Sequence, residues 1–72
     1  MNRKDTTMAA DTRRIQEQRS TIERLRRERS LEERALRAAA TRESAGRTQR
    51  RIEELDRLLR RAEDGLRALE RG

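Results

Sequence analysis

The sequence predicts an all-α fold, an antiparallel two-helix hairpin of coiled-coil type with its turn near residues 44–47. Three observations carry that expectation. Ile52, Leu55, Leu59, Ala62, Leu66 and Leu69 recur at alternating spacings of three and four, and a period of about 3.5 residues holds one helix face towards a partner helix. The 72 residues are 47% charged and 31% apolar, rich in Arg, Glu, Ala and Leu, with no Pro and no aromatic. A helical period in that composition marks a coiled coil, whereas a disordered chain typically brings Pro, Gly and Ser. The third observation is a phase conflict. Ile15 and Ile22 lie seven apart but do not fall in the sevenfold series of Ile52, Leu59 and Leu66, so one straight coiled coil cannot serve both halves.

The elements follow in order. Residues 1–7 are polar and are expected to fray, as termini do. Asp5, Thr6 and Thr7 offer capping oxygens, so helix one is expected over residues 8–43. Its stripe begins with Met8, Ile15, Ile22 and Leu25, weakened by Asp11 and Gln18, and stalls across residues 26–30, which carry no apolar side chain. Leu31, Ala35, Leu36 and the Ala38-Ala39-Ala40 run then restore strong helix formers. Residues 41–48 combine Gly46 with several turn and cap formers. Gly46 would end helix one in the left-handed conformation and Thr48 would cap helix two, expected over residues 48–70.

Antiparallel pairing about residue 45 joins positions whose numbers sum to about 90. It sets Leu36 against Ile52, Ala35 against Leu55, Leu31 against Leu59, Leu25 against Leu66 and Ile22 against Leu69. The expected packing interface is therefore Ile22, Leu25, Leu31, Leu36, Ile52, Leu55, Leu59, Ala62, Leu66 and Leu69. Met8 and Ile15 would project past helix two as a candidate docking segment. The alternative is one unbroken helix in a parallel coiled coil. It puts Arg24, Arg27 and Arg34 in the seam, where charge is costly.

A chain of this length makes one small domain, and few side chains are large enough to fill a core. Without Cys or His it has no disulfide or zinc staple. Oligomerisation, as a homodimer closing into a four-helix bundle, or docking on a larger protein is the expected source of further burial. No apolar run reaches the roughly 20 residues of a membrane span, and no signal-peptide core is present. The expected location is the cytoplasm.

Catalysis is not expected. No His or Cys activates a nucleophile, and the adjacent carboxylates Glu32-Glu33, Glu53-Glu54 and Glu63-Asp64 point about 100° apart on a helix, with no pocket to shift their pKa. Their expected role is pairing with Arg four residues on: Glu23 with Arg27, Glu33 with Arg37, Glu53 with Arg57, Asp56 with Arg60. No cofactor, metal or small-molecule substrate is implied, and the interleaved acids argue against a membrane-surface helix. Residues 1–51 hold fifteen basic and eight acidic side chains, net +7, while residues 52–72 hold five and six, net −1. Arg42, Arg47, Arg50 and Arg51 are the candidate phosphate-binding cluster, which would serve a nucleic-acid partner through its backbone. The favoured reading is a non-enzymatic assembly or adaptor subunit that works through helix–helix contact, with nucleic-acid binding as the alternative.

Overall fold

In the computed structural model the backbone is described for residues 3–72 and the side chains for residues 11–72. Helix α1 runs Arg3–Arg37 and helix α2 runs Arg42–Arg71. They pack side by side along a rod with principal extents of 60 × 15 × 12 Å. The chain is a helical hairpin, and the unbroken-helix alternative is set aside. Among the described residues no helix is long and apolar enough to cross a membrane.

The turn lies earlier than the sequence suggests. α1 ends at Arg37, residues 38–40 form the connection, and Thr41 caps α2 from an extended conformation, φ −127° and ψ 158°. Ser44 N–H donates to Thr41 Oγ1 at 3.1 Å, and Ser44 Oγ donates to the Thr41 carbonyl at 3.3 Å. The expected turn at 44–47 is thus helical, and so is Gly46, which has no positive φ. Two forces outweigh the alanines' helix preference. That preference is worth only tenths of a kcal/mol per residue, whereas a Thr cap contributes about 0.5–2 kcal/mol. Placing the turn here also brings two heptad stripes into register.

That register is regular. On α1 the positions Ile15, Gln18, Ile22, Leu25, Arg29, Glu32 and Leu36 repeat at three and four. On α2, Ala45, Thr48, Ile52, Leu55, Leu59, Ala62, Leu66 and Leu69 do the same. Every one of them is buried or half-buried. Cross-helix partners have numbers summing to about 80: Gln18 Nε2 donates to the Ala62 carbonyl at 3.0 Å, and Arg51 donates to Glu28 at 3.4 Å. Leu25 comes level with Leu55 and Ile22 with Leu59, and these four with Ala62 form the core cluster, Leu66 packing against it. Leu55 is fully buried.

Three further expectations change with the register. Leu31 was expected in the seam but is 61% exposed, because the heptad runs through Arg29 and Glu32 instead. Ile15 was expected to project beyond α2; it is half-buried, at a heptad position of the α1 stripe. Helix α1 starts at Arg3, ahead of the expected start at Met8. The side chain of Met8 lies outside the described residues.

Candidate functional site

The seam is enclosed within the chain, so its leucines are not a free surface. Ile22, Leu25, Ile52, Leu55, Leu59 and Ala62 are buried; Leu36, Leu66 and Leu69 are half-buried. What the hairpin offers to a partner is its two flanks, where the helices meet solvent on either side of the seam.

The flanks differ in chemistry. One carries a groove over Ile22 and Leu66, bordered by Arg19, Glu23, Arg26, Glu63 and Arg67, in which basic and acidic groups alternate. The other carries a groove in which Leu58 stands 37% exposed beside Thr21, Leu25 and Ala62. Its charged borders are Arg24 and Arg61. Leu31 sits in a depression with Arg26, Arg27, Ser30 and Arg34. Leu31 and Leu58 are the large apolar side chains the described fold leaves exposed. Positional logic puts both on one side. Leu58 occupies a heptad position flanking the seam, and Leu31 the adjacent outward position on the same side of α1.

Charges across the seam are mostly used in closing the hairpin. Arg29 stands at a seam position. Its aliphatic stem lies in the interface while its guanidinium reaches out, leaving the side chain 34% exposed. Arg29 Nε donates to Asp56 Oδ1 at 2.5 Å, and the same guanidinium donates to Glu33. Hydrogen bonding to Asp56, then to Glu33, holds it protonated more firmly than a free arginine. Arg26 reaches Glu63 at 4.0 Å, and Arg51 reaches Glu28 at 3.4 Å and Glu54 at 3.1 Å. None of the four expected arginine pairs four residues on appears among the ion pairs of the described residues. The carboxylates take cross-helix partners, an arginine three residues away, as Asp64 does with Arg67, or, for Glu33, the arginine four residues before it, Arg29. Sequence reasoning missed Arg29 and Asp56 because cross-helix partners are set by the register.

The four candidate phosphate-binding arginines are not gathered at one point. Arg51 is committed to Glu28 and Glu54. Arg42 opens α2 beside the turn, while Arg47 and Arg50 lie about 7 and 12 Å further along the helix axis at about 1.5 Å per residue. Arg34 and Arg37, in the last turn of α1, are the arginines that join Arg42 at the tip. Of the candidate docking residues, Ile15 belongs to the seam, and the side chain of Met8 lies outside the described residues. The chain matches no protein-family model, no curated protein and no solved structure.

Proposed function

We propose that the hairpin is a non-enzymatic assembly or adaptor subunit that works by helix–helix contact with another protein. The observation that supports this reading is the exposed Leu58 on a flank of small and apolar neighbours, Thr21, Leu25 and Ala62. A two-helix seam leaves such a flank able to accept a further helix, as in a three- or four-helix bundle. Glu28, Asp56 and Glu63 are spent on ion pairs that tie one helix to the other, and Glu33, Glu54 and Asp64 on pairs within a helix, an arrangement that suits a rigid support. Phosphate-backbone binding draws less support, because Arg51 is taken and Arg42, Arg47 and Arg50 are strung out along α2.

Capture of partner proteins by the tagged chain tests the reading. Leu58→Glu is expected to abolish capture while circular dichroism stays helical, and capture by the native chain is expected to weaken by no more than about tenfold between about 50 and 200 mM salt. Capture that survives Leu58→Glu and falls by several orders of magnitude over about that salt range would place the interaction on phosphates and overturn the proposal.

A further inference from the structure

Leu58 is bordered by cations alone. Arg24 and Arg61 edge its groove on opposite helices, no carboxylate lines it, and neither arginine forms an ion pair among the described residues. Of the other arginines that line the contact between the helices, Arg26, Arg29 and Arg51 are paired, and Arg19, which is not, shares its groove with Glu23 and Glu63. Glu28 and Glu54, one turn from this groove, are both taken by Arg51. The second exposed leucine, Leu31, also stands among arginines with no carboxylate beside it: among the described residues Arg27 and Arg34 form no ion pair, while Arg26 is held by Glu63 on the opposite flank. On the opposite flank Glu23 and Glu63 stand among the arginines. The apolar flank is therefore the one where positive charge is left uncompensated.

We infer that the Leu58 groove takes an acidic amphipathic helix from a different protein, one that presents leucine-like side chains flanked by carboxylates. This rests on the adaptor reading above and names the occupant of the same flank. An incoming apolar residue would cover Leu58 and the edge of Leu25, and carboxylates on either side would meet Arg24 and Arg61 as hydrogen-bonded ion pairs, partly screened from water by the helix itself. A second copy of this chain fits poorly. A two-fold contact centred on Leu58 would bring the arginines of both copies together, and each chain carries a formal net charge of +6. Like charges facing across an interface discriminate against the wrong partner.

A labelled synthetic helix of about three heptads, with leucines at alternating three and four spacing and glutamates beside them, is the probe. Fluorescence anisotropy on the full chain is expected to show binding that Leu58→Glu abolishes. The double variant Arg24→Glu/Arg61→Glu is expected to weaken it at least tenfold. Arg57→Glu/Arg71→Glu, with the same change in net charge on the outer face of α2, is expected to leave it within twofold. The same peptide with lysine for glutamate is expected not to bind. Equal binding of both peptides, lost in Leu58→Glu, would keep the flank as a docking surface and overturn its acidic occupant. Binding indifferent to Leu58→Glu would overturn both. A homodimer in sedimentation that Leu58→Glu dissolves would make the second copy the occupant and overturn the inference.

Discussion

Gly46 and Gly65 show how single positions report the register. Both are helical residues of α2. A Cβ at Gly46 meets nothing within 4 Å, whereas one at Gly65 would lie 2.8 Å from Gln18 Nε2. Gly46→Ala is expected to stabilise the chain by about 0.5–1 kcal/mol, the ordinary gain of Ala over Gly within a helix. Urea denaturation measures it, and destabilisation would return Gly46 to a left-handed turn. Gly65→Ala makes the same gain in α2 but pushes the Gln18 amide away from the Ala62 carbonyl, a bond worth about 0.5–1.5 kcal/mol, so its net effect is expected near zero. In a Gln18→Ala background Gly65→Ala should recover the full gain. A double-mutant cycle with no coupling between the two sites would contradict the contact. Thr41→Ala should cost about 0.5–2 kcal/mol by removing the cap on Ser44 N–H, and no loss in melting experiments would move the start of α2.

At the level of the helices, the two stripes were unequally legible. The α2 stripe could be read directly, because Ile52, Leu55, Leu59, Ala62, Leu66 and Leu69 are apolar at every heptad position and nothing competes with them. The need for a break between the two halves could also be read, from the phase of Ile15 and Ile22. The position of the break could not. α1 fills two seam positions with Arg29 and Glu32, which look like a stall, and Leu31 nearby looks like a resumption. Only three dimensions show that the Arg29 stem can occupy the seam while Asp56 and Glu33 take its charge. The cap lies ahead of the expected turn at 44–47, at Thr41 rather than Thr48. The contrast between two leucines tests this assignment. Leu55→Ala should cost about 2–5 kcal/mol because Leu55 is fully buried, while Leu31→Ala should stay within about 0.5 kcal/mol, as surface changes do. Equal losses in denaturant midpoint would restore Leu31 to the interface.

The whole molecule is a thin rod with a short core and an uneven surface. Among the residues whose side chains are described the buried set is small, so stability depends on the cap, the register and the cross-helix pairs acting together, and a helix laid on the Leu58 flank would add burial. Of the proposed docking site, Leu58 itself could be read from sequence, as a leucine off the main stripe that offers a second contact surface. The closeness of Arg24, Arg61 and Thr21 to it could not, because it follows only from the register in which α1 and α2 pair. Every assignment on the surface therefore depends on where the chain reverses. Amide hydrogen exchange on the unaltered protein tests this most directly. The account predicts that Gly46 and Arg47 are protected together with the rest of α2, while Ala40 exchanges as a free amide. Rapid exchange at Gly46 and Arg47 with protection continuing through Ala38, Ala39 and Ala40 would contradict it.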